Sequence, residues 1–228
     1  EVARALIEAG ASVNAANHLG ETPLLCAAGR GFEPLALLLL DKGADASVRD
    51  EMGRCVVDVA LDHEHAEAAK ALLAAGAPAD LGSACVLGNV DMAAQLIVQN
   101  EAAMARDGTP PPPPLLNEPD RAHGLTPLMK AAAEGHAELV HLLVDRGADP
   151  CLRDREGNDA LLWACEACLR REAWGGNRHA FVECAEALIA AGAPLESRDG
   201  LRGHTPLIRA SARGHLPLVE RLLAQGAA

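Results

Sequence analysis

The sequence predicts an all-α fold in which short helix–turn–helix units stack in one array and loops project between the units. Three observations predict it. The strings Thr22-Pro23-Leu24-Leu25, Thr126-Pro127-Leu128-Met129 and Thr205-Pro206-Leu207-Ile208 each lead into an alanine-rich stretch, a Gly-Phe or Gly-His pair, a leucine-rich run and a closing Gly-Ala. Degenerate copies, Cys55-Val56-Val57-Asp58 and Asp159-Ala160-Leu161-Leu162, stand 33 residues after the first and the second of these strings. Half of the residues are hydrophobic while only 2% are aromatic, with no tyrosine and two phenylalanines. That composition suits thin helices at close approach better than a core filled with rings.

Each unit has a readable local logic. The Thr hydroxyl caps the first helix, and the proline after it stands where a missing N–H does no harm. Ala27-Ala28 and Ala131-Ala132 keep that helix thin enough to stack. Gly31-Phe32, Gly135-His136 and Gly214-His215 turn the chain back. The second helix then buries leucines at helical spacing, as at Leu139, Leu142 and Leu143. Gly43, Gly76, Gly147, Gly192 and Gly226 close it, where a left-handed residue ends a helix. The segment from there to the next Thr is a projecting hairpin.

A period of 33 that carries Thr-Pro-Leu and a trailing Gly-Ala-Asp resembles the ankyrin repeat. The resemblance covers essentially the whole chain. It implies an ankyrin-repeat solenoid with projecting β-hairpin loops, and a binding scaffold. The histidine that this family usually carries after Thr-Pro-Leu is absent, and Leu25, Asp58, Met129, Leu162 and Ile208 stand there. By the same resemblance, hydrogen bonding between neighbouring hairpins is expected to be weakened.

On this phase residues 1–228 form a single array: a partial repeat at 1–17, then units near 18–49, 50–79, 80–120, 121–153, 154–199 and 200–228. The array reads as part of a longer chain, because residues 1–10 form only the second half of a repeat and 225–228 stop where another hairpin would begin. Three departures break the regularity. After Gly76 the chain goes almost directly to Leu81, so one hairpin is shortened or missing. A Pro-rich insertion, 101–120, contains Pro110 through Pro114 and is expected to be an extended or disordered excursion. An inter-helix insertion, 169–177, brings Arg170, Arg171 and Trp174 close to Arg178 and is expected to project opposite the hairpins.

Charge and composition exclude several classes. A net charge of −12 disfavours generic nucleic-acid binding and anionic membrane surfaces. No apolar run is long enough to span a bilayer. Seven cysteines scattered through helical repeats read as reduced thiols of an intracellular, cytoplasmic protein. Cys165 and Cys168 with His179 and Cys184 have ligand types that suit zinc. Cys165 and Cys184 fall at core positions, however, so burial of small hydrophobes is the better reading and no metal is assigned. No cofactor loop and no catalytic arrangement is visible, and the segment is read as non-enzymatic. Pro110–Pro114 is a weak candidate ligand for a Pro-rich-binding domain, against the plainer reading of a solvated spacer.

The leading function is a non-catalytic scaffold that binds a partner protein through a concave face of hairpin tips and first helices. Mapped through the ankyrin resemblance, that face comprises Glu51, Met52 and Asp62; His123, Lys130 and Glu134; Arg155, Trp163 and Glu166; and Arg202, Arg209 and Arg213. Trp174, ringed by arginines, is an auxiliary contact. Residues 1–114 hold 7 Lys and Arg against 16 Asp and Glu, and the remainder 13 against 16. Arg202, Arg209 and Arg213 are therefore expected to form a basic end to an acidic groove. Two other roles fit the same chain: a structural subunit of a large assembly, and the targeting module of a longer enzyme.

Stability in such arrays is close to a sum of nearest-neighbour terms, so the shortened hairpin at Ala79–Ser83 is expected to be the weakest coupling. Native-state amide exchange should show this junction opening first, and uniform protection across it would refute the expectation.

Overall fold

The first helix of each regular unit starts at a side-chain cap at the predicted phase. In the computed structural model, which describes residues 2–107, 115–167 and 178–227, Thr22, Thr126 and Thr205 each accept a hydrogen bond on Oγ1 from the backbone N–H three residues on, at 3.3 Å. The degenerate positions cap by other means. Asp58 Oδ2 accepts from the Cys55 N–H at 2.9 Å while Cys55 Sγ accepts from the Asp58 N–H at 3.5 Å, a reciprocal box. Asp159 Oδ1 accepts from the Leu162 N–H at 2.9 Å. Burial in apolar surroundings, with the Asp58 charge added, pushes the Cys55 thiol up to about 12, so it acts as a cap and a core atom rather than a nucleophile.

Thirteen α-helices form among the described residues. They are α1 (Val2–Glu8), α2 (Pro23–Gly29), α3 (Glu33–Asp41), α4 (Val56–Asp62), α5 (Ala66–Ala74), α6 (Leu81–Leu87), α7 (Val90–Asp107), α8 (Pro127–Glu134), α9 (Ala137–Asp145), α10 (Ala160–Ala167), α11 (Arg178–Ala190), α12 (Pro206–Ala212) and α13 (Leu216–Ala224). A 3₁₀ turn, Leu115–Asn117, precedes α8. No helix of the described residues is long and apolar enough to cross a membrane.

The chain divides into two compact units, 1–83 and 84–228, the division falling inside α6. In the first, α2 and α4 form an inner row and α3 and α5 an outer row. Leu24, Ala27, Ala28, Leu39, Val56, Val57, Ala60, Ala69 and Leu72 fill the space between them. In the second, α8, α10 and α12 are the inner row and α9, α11 and α13 the outer row, around Leu128, Met129, Leu139, Leu143, Leu161, Leu162, Leu188, Leu218 and Leu222. Alanines such as Ala131, Ala132, Ala164 and Ala210 have no exposed surface, because the inner helices approach too closely for anything larger.

The turn inside each unit is equally tight. Gly135 has φ 73°, and a Cβ there would stand 2.9 Å from the Phe181 ring of the next unit. Gly88 meets the His136 ring and Gly31 the His65 ring in the same way. His136 Nε2 lies 3.2 Å from the Val86 carbonyl, and burial lowers the pKa of that imidazole below the ordinary histidine value. At the corresponding turn of α4 and α5 the left-handed residue is Glu64, with φ 62°.

The loops between units carry no β-strand among the described residues, so the hairpins of the resemblance are present as tight turns, each closed by a pair of backbone bonds. Asn17 N–H donates to the Glu21 carbonyl at 3.1 Å and Asp154 N–H to the Asn158 carbonyl at 2.9 Å. The 101–120 stretch also differs from expectation. Residues 101–107 continue α7, which runs to Asp107, where apolar periodicity alone gave no helix. The string Glu101-Ala102-Ala103-Met104-Ala105-Arg106 consists of strong helix formers, and propensity prevails without an apolar stripe. Glu101 adds an ion pair with Arg146 at 3.8 Å. Pro110–Pro114, the 169–177 insertion and Trp174 lie outside the described residues.

Glu64 in a left-handed turn loses on the order of 1 kcal/mol that glycine would not. Glu64→Gly is expected to raise the unfolding free energy by about that amount, and with it the midpoint of chemical denaturation, an unusual gain for glycine. An unchanged or lower midpoint would show that the turn is not strained.

Candidate functional site

Every described finger loop is built on one Asp or Asn. In the first unit, Asn17 Oδ1 accepts from the N–H groups of Leu19 and Glu21 at 2.9 and 3.0 Å, and Asp50 Oδ1 from those of Met52 and Arg54, both at 2.9 Å. In the second, Asp120, Asp154 and Asp199 do the same for His123 and Gly124, for Glu156 and Asn158, and for Leu201, Arg202 and Gly203. An acceptor at the loop base fixes the turn and pushes the residue two places on to the apex. Leu19, Met52, Glu156 and Leu201 accordingly stand exposed.

Within the second unit neighbouring fingers are tied at their tips. Arg155 N–H donates to the His123 carbonyl at 3.2 Å, and its guanidinium to the carbonyls of Ala122 and Arg121 at 2.9 and 2.6 Å. Gly200 N–H donates to the Glu156 carbonyl at 2.7 Å, and Arg153 bridges to the Arg198 carbonyl at 2.8 Å. The approach is so close that a Cβ on Gly200 would lie 2.7 Å from the Glu156 oxygen. These bonds hold the finger row where the missing histidines of the inner helices do not.

Below the last two fingers lies a pocket of about 530 Å³ between their tips and helices α10 and α12. Trp163, Leu201, Glu156 and Arg202 line it together with a network centred on Arg209. Arg209 donates to Asn158 Oδ1 at 2.6 Å, to Asp199 Oδ2 at 3.0 Å and to the Leu162 carbonyl at 3.4 Å. Glu166 pairs with Arg213 and lies 3.9 Å from Arg209. Trp163 Nε1 donates to Asp154 Oδ2 at 2.9 Å, which fixes the indole in place. Burial works against ionisation of Asp199, but the N–H of Arg202 and the guanidinium of Arg209 outweigh it and hold that carboxyl at about 2.

The structure gathers Trp163, Arg202, Arg209 and Arg213 around this one pocket and places Arg155 on the adjoining tip. It corrects the expectation of a basic end. The Arg209 side chain is only 11% exposed and is bound by Asp199 and Asn158, and Arg213 is bound by Glu166, so Arg202 alone of the three carries an unpaired charge. Lys130 is likewise drawn in, paired with Asp120 at 3.0 Å. Asp62 is held by Arg54 at 3.0 Å, while Glu51 and Met52 stand exposed on their tip in the first unit. His123 is an exposed tip residue, and Glu134 is half-buried near the end of α8.

Residues that the sequence reading passed over include Asp154, Asn158, Asp199, His204 and the apex Glu156. The signal was present, since an Asn or Asp stands five or six residues before Thr22, Cys55, Thr126, Asp159 and Thr205. Cys165 and Cys184 are fully buried, as core positions require, and Cys168 lies outside the described residues.

A sequence profile of three ankyrin repeats matches residues 1–83 and again 81–173, and a single-repeat profile matches 202–228. Among curated proteins the chain is 31% identical over 205 residues to ankyrin repeat and SOCS box protein 16 of Mus musculus, covering 90% of this chain and 43% of that one. It is 32% identical over 144 residues to potassium channel AKT2/3 of Arabidopsis thaliana, covering 63% of this chain and 17% of the channel. It is 33% identical over 100 residues to E3 ubiquitin-protein ligase XBAT32 of the same plant, covering 44% of this chain and 17% of the ligase. The chain thus spans less than half the length of each of these relatives.

Because the folded-state pKa of Asp199 lies below the ordinary carboxylate value, its contribution is full above about pH 4 and is lost as pH falls towards 2. Asp199→Asn is expected to cost about 1 kcal/mol at neutral pH, because the amide keeps an acceptor oxygen for the loop N–H groups but loses the charge that pairs with Arg209. It should also flatten the fall in stability between pH 4 and 2. Equal slopes for both proteins in denaturant titrations across that window would refute the assignment.

Proposed function

This chain belongs to the ankyrin repeat family, whose repeats are protein–protein interaction modules, and on that footing we propose that it is a non-catalytic scaffold that holds a partner protein on the finger face of its second unit. The observation that supports this most is the pocket between α10, α12 and the last two fingers. It combines an immobilised Trp163, an exposed Leu201 and an unpaired Arg202 on tips that are hydrogen-bonded to each other. Tryptophan and arginine are the side chains that most often carry interface energy, and a rigid platform lowers the ordering cost of binding. Met52 and Glu51, with Leu19 on the neighbouring tip, offer a second contact in the first unit.

The chain's weak aromatic content and acidic balance also favour a protein partner over a nucleic acid. A second reading is the targeting module of a longer enzyme. It draws support from relatives named as E3 ubiquitin-protein ligases, of which this chain matches 17%.

The test is a crosslinking pull-down from the native source with the intact protein, a Leu201→Asp/Arg202→Glu variant and a Met52→Glu variant. Loss of the captured partner by at least tenfold in the Leu201/Arg202 variant, with an unchanged unfolding midpoint, supports the pocket face. Equal capture by that variant refutes it. Capture lost only with Met52→Glu would move the site to the first unit.

A further inference from the structure

The pocket between α10, α12 and the last two fingers has a closed floor and an open rim. On the floor, Asp199 takes three loop N–H groups on Oδ1 and the Arg209 guanidinium on Oδ2 at 3.0 Å, with His204 3.7 Å away. Asn158 spends its amide on Asp154 and its oxygen on Arg209, and Glu166 is paired with Arg213. Trp163 gives its one N–H to Asp154, so what its indole offers a ligand is hydrocarbon. Ala212, the last residue of α12, lines the same space and is exposed. The rim differs: Glu156 and Arg202 have neither an ion pair nor a side-chain hydrogen bond among the described residues. They carry opposite signs on tips joined by the Gly200–Glu156 backbone bond, and Leu201 stands exposed beside Arg202.

A charged side chain entering the floor would shed its water and have to break into an existing pair, whereas an apolar one meets no such cost. At about 530 Å³ the space falls in the range of about 300–1,000 Å³ typical of ligand pockets, and it accommodates a large side chain. We propose, resting on the interaction reading above, that the pocket takes one uncharged apolar or aromatic side chain from a partner protein. The segment that carries this anchor also presents a basic residue to Glu156 and an acidic one to Arg202. A segment with one sign of charge gains a pair at one rim residue and meets repulsion at the other. A segment without the anchor makes only exposed pairs, which contribute little by themselves. The anchor, covering Trp163 and Leu201, therefore supplies the affinity, and the rim charges select which anchor-bearing segments enter.

The experiment selects a random peptide library displayed on phage against the intact chain, then measures fluorescence anisotropy of the most enriched peptide. Enriched sequences should combine a tryptophan, phenylalanine or leucine with a basic and an acidic residue. Ala212→Trp fills the pocket from an exposed position and should weaken that peptide by about tenfold or more. Glu156→Lys/Arg202→Glu should weaken it to a similar degree, and should regain the lost affinity for a peptide whose two charges are exchanged. Circular dichroism checks that both variants are folded. Three results each overturn the assignment: a peptide that binds the Ala212→Trp protein equally well, an anchor-dependent peptide that ignores the charge exchange, or no enrichment at all. The interaction reading survives all three and is decided by the pull-down. A native partner lost with Leu201→Asp/Arg202→Glu keeps the pocket face, and a partner retained removes it.

Discussion

Close approach between neighbouring repeats is the constraint from which the other features follow. A unit of two short helices cannot bury its own apolar face, so it must lie flat on the next one. Flatness dictates alanine on the inner row, where Ala131, Ala132 and Ala164 have no exposed surface. It dictates glycine at the turn, where Gly135 meets the Phe181 ring, and again at the finger tip, where Gly200 meets the Glu156 carbonyl. The same economy explains the near absence of large aromatic rings. One ring per junction is enough to cover a turn glycine, as His65, His136 and Phe181 do.

A surface built this way is rigid without being inert. Asp154 and Asp199 each spend their acceptor oxygens on loop N–H groups and on side-chain donors, Trp163 Nε1 and the Asn158 amide for the first and Arg209 for the second. Each carboxylate therefore shapes a finger and fixes a side chain of an inner helix at once. The indole and the guanidinium are held by the loop geometry, and no ordering remains to be done when a ligand arrives. This is also why Arg209 makes a poor contact residue despite its position. A cation that already satisfies three acceptors gains little from a fourth.

What the sequence made legible follows the range of the interactions concerned. The threonine caps and the helix-closing glycines act over three to five residues and recur at the period, and the first helices begin where those signals place them. Cys55 and Asp159 kept the phase although the residue type changed, because each still supplies an acceptor to the N–H three residues on. The extension of α7 to Asp107 was hidden because it has helix propensity without an apolar stripe, and periodicity registers only the stripe. The pairing of Arg209 was hidden for a different reason: its partners stand 10 and 51 residues away. The stacking phase puts Trp163, Arg202, Arg209 and Arg213 on one face, but it does not reveal which cation is left over.

That remainder carries the argument about binding. Glu156 and Arg202 belong to adjoining fingers, and among the described residues each side chain is left without an ion pair or a hydrogen bond. Each stays solvated at little cost to the fold, unlike the buried Asp199–Arg209 pair. A partner that pairs with either charge meets a group that the fold itself leaves open. A ligand with one wrong sign meets repulsion that the saturated arginines nearby do nothing to relieve. The net charge of −12 would draw in any basic segment, whereas the fixed order of one anion and one cation over an apolar wall discriminates among them.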